Sequence, residues 1–440
     1  MSRAVLGLSL TLLFLAARSH EGFDPNLGVK VDQGKVDAAI KKATDYLLGK
    51  QGANGAWPEV HYARYGTTAL TLLALLESDV DRNDPRIKKG FDYLRTTPMY
   101  NPIQSGERIW TYDVAVLIMA LEANNVAKNS GGHTLVEKVN IKGDDLSWMR
   151  RLHSWLLQTR HEYTDAGLGK VDKSDKDGNI IESGAIAKAK KVAWRYPATR
   201  EDPANVNGYD NSNTQYAILA LKSCARCGIK TPKDVWFGIL SHFLALQQDK
   251  GEEVARVGSD TQGGTFVSEF KDQARGWGYT GKTDPGSASI KSDYGSMTAG
   301  SIGSIIMARS EVLNDSSYPK KYASAVDKSV RDGLAWIAKN WTVTANPKSP
   351  IDSTSSWNLY YLYALERIGM LAQVRNIGDH FWYKEGAEHL CGAQRGDGSW
   401  AGPRRYSGEA WDIVNTDFAL LFLKRATMIV IGTGFQEEKK

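Results

Sequence analysis

The string TALTLLAL that begins at Thr68 returns five more times along the chain: VAVLIMAL from Val114, TQYAILAL from Thr214, TAGSIGSI from Thr298, NLYYLYAL from Asn358 and TDFALLFL from Thr416. Each copy opens on a polar Thr or Asn, with Val114 in that slot in the second, and continues as a run of Ala, Leu and Ile. A recurrence of this length marks stacked supersecondary units, because one such unit cannot bury its apolar face alone. The copies are apolar over most of their circumference, which suits helices sandwiched inside a structure.

Before each copy lies an amphipathic segment of helical length: Gly34 to Gln51, Asp84 to Thr96, Asp145 to Thr159, Pro232 to Gln248, Ala323 to Asn340 and Ile377 to Gln394. Met149, Leu152, Trp155 and Leu156 recur three or four residues apart, the signature of one buried face. Such helices suit an outer wall. The pattern predicts an all-α protein of six outer and six inner helices, which can close as an (α/α)6 toroid or curve as an open solenoid; the turns between helices help to choose. Length alone suggests about three domains. No Pro-, Ser- or charge-rich linker divides the 440 residues, so residues 20–440 read as a single repeat domain.

The N-terminus reads as a secretory signal: Arg3, an apolar stretch from Ala4 to Ala17, and small residues at Ala17 and Ser19 for cleavage. The stretch is short for a membrane span, so residues 1–19 are expected to be removed and the mature chain exported. The apolar run from Phe418 to Gly432 is interrupted by Lys424 and Arg425 and reads as a buried helix, so no integral membrane protein is expected. Net charge is +5 without a basic stripe, which gives no indication of nucleic acid. Lys188, Lys190, Lys191 and Arg195 could meet an acidic glycan or membrane, although a solvated loop is the simpler reading. Asn314 and Asn340 would accept glycans only in a eukaryote.

Two turns match closely. Gln51-Gly52-Ala53-Asn54-Gly55-Ala56-Trp57 follows the first outer segment, and Gln394-Arg395-Gly396-Asp397-Gly398-Ser399-Trp400 follows the last. Weaker versions pair Gln158 with Trp194 and Gln248 with Trp277, each across an insertion. These motifs resemble the glutamine-tryptophan motif of the prenyltransferase and squalene-cyclase repeat superfamily, and the resemblance runs from about Gly34 to Arg425. It implies a toroid with a central lumen, in which the Gln amide caps backbone groups and stacks under the Trp. Gln51, Trp57, Gln394 and Trp400 are therefore expected to be structural.

The superfamily's catalytic signatures do not carry over. Squalene-hopene type cyclases place an acid in the middle of an Asp-x-Asp-Asp-Thr string; this chain has Asp210-Asn211-Ser212-Asn213-Thr214. A serine hydroxyl is far too weak an acid to protonate an alkene. The zinc-binding Asp-x-Cys string of prenyltransferases is absent, and no cofactor or metal is expected. Cys224 and Cys227 form a lone Cys-x-x-Cys, weak for zinc; a disulfide or two thiols are simpler. Cys391-Gly-Ala-Gln394 lacks the Glu of a thioester sequence.

A site is expected at the rim shared by the ends of outer helices and the starts of inner ones, because both long insertions, about 160–208 and 249–295, fall there by connectivity. The same rim carries His61, Tyr62, Arg64 and Tyr65; Trp110, Tyr112 and Asp113; Tyr209 and Asp210; Asp293 and Tyr294; Asp352 and Trp357; Trp411, Asp412 and Asn415. Any one Asp there is most simply a helix cap. Ligand contacts are expected from Trp110, Tyr112, Trp277, Tyr279, Asp293, Trp357, Trp411 and Asp412. Two classes of function follow: a non-catalytic toroid binding an extended or apolar ligand or a partner protein, or an enzyme using the rim. As an enzyme it would be a divergent terpene cyclase or isomerase with Asp113 or Asp210 as acid, or a polysaccharide lyase with His61 or Tyr65 as base and Arg64 on the uronate. A lumen walled by aliphatic and aromatic groups would favour lipid. A wet cleft joining His61, Arg64 and Tyr65 would favour sugar.

Overall fold

Every Ala- and Leu-rich string is a helix buried on nearly all sides, and the amphipathic segments are helices mostly buried on one, Lys233–Leu246 being covered more fully. The computed structural model describes residues 23–60, 63–126, 138–164, 173–174, 180–182, 189–196, 208–280, 292–350, 357–402, 407–428 and 434–436. The buried helices are α2 (Gly66–Glu77), α4 (Thr111–Asn125), α6 (Asn211–Arg226), α8 (Gly295–Val312), α10 (Asn358–Leu371) and α12 (Glu409–Lys424). Between them run α1 (Gln33–Gly49), α3 (Pro85–Arg95), α5 (Gly143–Gln158), α7 (Lys233–Leu246), α9 (Ala323–Lys339) and α11 (Trp382–Ala393). The second set shows one-sided burial. In α3 only Ile87, Gly90, Phe91 and Leu94 are buried, whereas in α2 every residue from Gly66 to Leu76 is.

The buried helices pack side by side in sequence order: α2 on α4, α4 on α6, α6 on α8, α8 on α10, α10 on α12, and α12 back on α2. The amphipathic helices lean on them from outside, as α5 does on α4 and α6, and α9 on α8. Among the described residues, strand is confined to three antiparallel pairs inside the two insertions: β1 (His161–Tyr163) with β4 (Lys191–Ala193), β2 (Lys173–Ser174) with β3 (Ile180–Glu182), and β5 (Glu253–Ser259) with β6 (Thr265–Gln273).

The polar residue that opens each copy has a structural task. Thr68, Thr214, Thr298 and Thr416 each use Oγ1 to accept the backbone N–H of a tryptophan, at 3.1 Å from Trp57, 2.9 Å from Trp194, 3.1 Å from Trp277 and 3.2 Å from Trp400. Each indole Nε1 in turn donates to a carbonyl in the last turn of the preceding outer helix: Leu47, Leu156, Phe243 and Leu390. A buried tryptophan is thus bolted to an outer helix by its ring and to an inner helix by its backbone. Buried polar groups left unpaired would each cost about 1–3 kcal/mol, so the four bolts recur as units.

The Gln amides extend the tie to the next outer helix. Gln51 Nε2 donates to Gly55 O and to Arg86 O of α3; Gln394 Nε2 donates to Gly398 O and to Ala39 O of α1. In the copy around Trp277 the residue in this role is Gln247, whose Nε2 reaches Arg275 O and Ser329 O of α9. That corrects the sequence expectation of Gln248 by one residue. Gln158, expected as the third equivalent, is exposed. Gly55 and Gly398 both adopt φ of +94°, where a Cβ would strike the carbonyl oxygen of Lys89 or Lys42, so glycine is required at both.

Two further expectations change. Lys191 is fully buried in β4, not in a solvated loop, while Lys190 pairs with Glu162 and Lys188 lies outside the described residues. Hairpin β5–β6 does not overhang the rim at the starts of the inner helices. It packs along α9, and its Ser259 and Val257 meet Arg375 and Asn376 beyond the far end of α10. Cys224, Cys227 and Cys391 are unbonded, and burial pushes all three thiols up.

Candidate functional site: an aromatic cavity at the heads of the buried helices

A cavity of about 580 Å³ opens where the buried helices begin. All six contribute to its wall, and they do so from corresponding positions. Counting from the polar slot of each copy, the residue two before it lines the cavity at Gly66, Tyr112, Ser212, Ser296 and Val414. The residue two after it does so at Leu70, Val116, Tyr216, Tyr360 and Phe418. These two slots are four apart, one turn of a helix, and so share a face. The exception is Gly300, two after Thr298. A Cβ there would lie 2.2 Å from Gln215 Oε1, so glycine makes room for a side chain that crosses from α6.

Rim segments complete the wall. Trp110 and Tyr112 meet Tyr196 of the first insertion, with ring centroids 4.8 and 5.7 Å apart. Trp357 and Trp411 meet edge to face at 5.5 Å. Tyr279 and Tyr294 come from the end of the second insertion. Trp357 is held at φ 65°, ψ 24°, a left-handed conformation that costs a bulky residue of the order of 1–3 kcal/mol and places its indole in the wall. Ten of the lining residues are Trp, Tyr or Phe, and the charged ones are Arg108 and Arg195. Among the described residues, no carboxylate lines it.

A belt of hydroxyls runs round this wall. Tyr112 Oη and Ser212 Oγ are 2.5 Å apart, Ser212 Oγ and Tyr360 Oη 2.6 Å, and Gln215 Nε2 donates to Tyr360 Oη at 2.7 Å. Gln215 Oε1 accepts from Arg367 Nη2 at 2.8 Å. A guanidinium can only donate, which fixes the orientation of that amide. Arg367 is buried below the cavity, with its guanidinium 4.4 Å from the Tyr363 ring and 5.7 Å from that of Tyr216. Ser212, which stands where the cyclase string would put its acid, therefore faces the cavity as a neutral hydroxyl.

The sequence-predicted residues divide. Trp110, Tyr112, Tyr279, Trp357 and Trp411 line the cavity together. Trp277 does not: it is fully buried as one of the four bolts. Asp293 accepts from Trp336 Nε1, and Asp412 accepts from Arg395 Nη1 at 2.7 Å and from Gly402 N at 3.0 Å; neither is in the wall. Asp113 and Asp210 are fully buried just behind it. Asp113 accepts from Gly66 N at 2.8 Å and, weakly, from Trp110 N at 3.4 Å. Asp210 caps α6, accepting from Asn213 N at 2.6 Å and from Asn213 Nδ2. Burial raises Asp113 to about 7 and Asp210 to about 6, against the lowering by those hydrogen bonds. Arg64 is exposed, and Tyr65 is buried with its phenol shifted up, chiefly by desolvation, which is the wrong direction for a base. Neither lines the cavity, and His61, Tyr62 and Asp352 lie outside the described residues.

The sequence reading missed Tyr196, Tyr216, Tyr360, Phe418 and Arg108, and took Arg195 only as part of a basic cluster. For Tyr216, Tyr360 and Phe418 the signal was present, since all three occupy the third position of their copies. No group of His, Cys, Asp and Glu among the described residues could hold a metal ion, and no described helix is long and apolar enough to cross a membrane.

No protein-family model matches the chain, and no curated protein matches it. Solved structures do. An alpha-1,6-mannanase from a Salegentibacter species superposes with a TM-score of 0.50 at 10% identity, over 89% of this chain and 99% of that one. The chain has an alpha/alpha toroid fold. Similarity extends to a type II terpene cyclase from Scytonema, at a TM-score of 0.45 and 10% identity over 90% of this chain and 98% of that one. It extends also to a possible member of the GH105 family from Salmonella enterica, at 0.48 and 11% over 93% and 96%. At such identities the likeness concerns the fold.

Proposed function

We propose that the protein is an exported, closed (α/α)6 toroid that binds an elongated apolar molecule, of isoprenoid or fatty type, in its lumen, and that it does not initiate chemistry by protonation. Closure is supported by α12 packing on α2 and by Gln394 reaching back to Ala39 of α1. The observation that carries the ligand is the wall itself: among the described residues, ten aromatic side chains and no carboxylate around about 580 Å³, a volume in the range of sites for small molecules. Aromatic and aliphatic surface removed from water contributes roughly 25 cal/mol per Å² before ordering costs. Glycoside cleavage commonly needs two carboxyl groups flanking the bond, and proton-initiated cyclisation needs one acid in contact with the alkene. Asp113 and Asp210 stand behind the wall with their oxygens committed to helix starts.

The test is titration of the purified chain with farnesol, a C15 isoprenoid alcohol, followed by quenching of tryptophan fluorescence. Saturable binding weakened by Trp357→Ala and Trp411→Ala, with the melting temperature near wild type, supports the reading. Absence of saturable binding, or binding indifferent to both substitutions, overturns it. An acid-initiated isomerase is the second reading, favoured by the position of Asp210, buried two residues from the cavity-lining Ser212, and by the burial that raises it to about 6. Product formation from farnesol that Asp210→Asn abolishes would establish that reading instead.

A further inference from the structure

On the reading that the lumen holds an apolar ligand, we infer that this ligand is an anionic amphiphile whose acidic head lies between Arg108 and Arg195 at the mouth. Both arginines line the cavity. Each comes from a segment fixed by its neighbours. Arg195 O accepts from Thr111 Oγ1 at 2.8 Å, which ties the first insertion to the start of α4. Arg108 lies 4.7 Å over the Trp110 ring, and Trp110 meets Tyr196 edge to face at 4.8 Å. Arg108, Trp110 and Tyr196 thus stack in a row at the mouth, and Arg195, the chain neighbour of Tyr196, lines the same cavity.

One carboxylate acts on this row: Arg195 lowers the buried Asp210 through space, without a contact ion pair. Among the described residues neither arginine forms an ion pair, whereas Arg95, Arg226, Arg256 and Arg275 each do. Among the described residues the nearby acids are spent or turned away: Asp113 and Asp210 are buried as helix caps, and Glu107, beside Arg108, is exposed and outside the wall. Deeper in, the buried Arg367 adds a third cation beneath the floor, bonded to a neutral glutamine. An aromatic tunnel with two unpaired guanidiniums at its mouth attracts an anion, repels a cation and leaves a neutral head without its best partner. Carboxylate and phosphate geometry both suit a guanidinium fork. An aromatic wall alone would favour a cation over an anion, so the arginines decide the sign.

Three probes with one tail separate the possibilities: farnesoic acid, farnesol and farnesylamine, titrated below their aggregation limits at pH 7.5. The acid is expected to bind at least about tenfold more tightly than the alcohol, the yield of a charge-assisted hydrogen bond, and the amine more weakly than either. Arg108→Gln with Arg195→Gln should weaken the acid by at least about tenfold more than it weakens farnesol, which removes the preference for the acid. Because both side chains are exposed, the double variant should keep its circular dichroism and melting temperature. The acid's advantage should also shrink as salt rises from 20 to about 500 mM. Equal affinity for all three probes, or an acid preference that survives the double variant, overturns the inference while leaving an apolar-ligand toroid standing. Failure of all three probes to bind removes both readings.

Discussion

Gly300→Ala and Gly303→Ala make the same chemical change one turn apart on α8, and the structure assigns them opposite signs. Alanine is favoured over glycine inside a helix by about 1 kcal/mol, and at Gly303 nothing opposes that gain. Its added Cβ would sit 3.6 Å from Leu371 Cδ1 and 3.9 Å from Ile368 Cγ2, ordinary contact distances. At Gly300 the Cβ would lie 2.2 Å from Gln215 Oε1 and 2.5 Å from its Cδ. Gln215 is buried and pinned at both ends, accepting from Arg367 and donating to Tyr360. Moving it forfeits a bond to a charged group, about 1.5–3 kcal/mol, and a neutral one, about 0.5–1.5 kcal/mol. Offset by the helical gain, Gly300→Ala should destabilise by about 1–3.5 kcal/mol. Urea unfolding followed by tryptophan fluorescence should order the midpoints Gly303→Ala, wild type, Gly300→Ala. In a Gln215→Ala background the clash is gone, and Gly300→Ala should become stabilising, a coupling that a double-mutant cycle reads directly. Gly300→Ala at or above wild type would show that Gln215 does not cross to α10 as described.

Trp57→Ala and Trp400→Ala should each cost about 3–5 kcal/mol, since each removes a buried indole; unchanged melting temperatures would contradict their role as bolts. Asp113 and Asp210 are raised to about 7 and about 6 from 3.8, so the folded chain holds protons that the unfolded chain releases. Their contribution to stability is present below about pH 4, declines as pH rises toward 7 and is level above it. Asp113→Asn should flatten that decline in chemical denaturation compared between pH 5 and pH 8, and an unaltered slope would show that Asp113 is not a source of it. Purified protein should neither cyclise squalene nor transfer a prenyl group, because Ser212 offers a hydroxyl where the cyclase string has its acid; a cyclised product lost in Asp210→Asn would reverse this.

The scaffold was legible because its signals are local. A Thr opening an apolar run, or a Gln six residues before a Trp, is visible in one line of sequence, and both turned out to be hydrogen-bonding devices. Insertions broke that legibility. Between Gln247 and Trp277 the hairpin β5–β6 intervenes, so spacing could not distinguish Gln247 from Gln248. Nothing local tells that the hairpin lies along α9, away from the mouth. Lys191 was unreadable for a similar reason: its burial comes from β1 and α7, which reach it only through tertiary contact. Trp277 carried two expectations, a weak turn motif with Gln248 and a ligand contact, and the structure keeps the first, with Gln247 as the glutamine. What separates it from Trp357 and Trp411 is a partner, Thr298 Oγ1, 21 residues away in sequence.

The geometry of a copy also explains how a toroid can change ligand without losing its frame. The polar slot, the one that holds Trp57, Trp194, Trp277 and Trp400, faces the outer helices, while the slots two before and two after it face the lumen. Structural and functional demands therefore fall on different faces of one helix. Substitution at Ser212, Tyr216 or Tyr360 alters the wall without touching a tryptophan bolt, and the string Asp210-Asn-Ser-Asn-Thr214 shows that division within five residues. Asp210 and Thr214 keep the cap and the bolt. Ser212 alone among the five lines the cavity, and at that position a neutral hydroxyl stands in place of an acid.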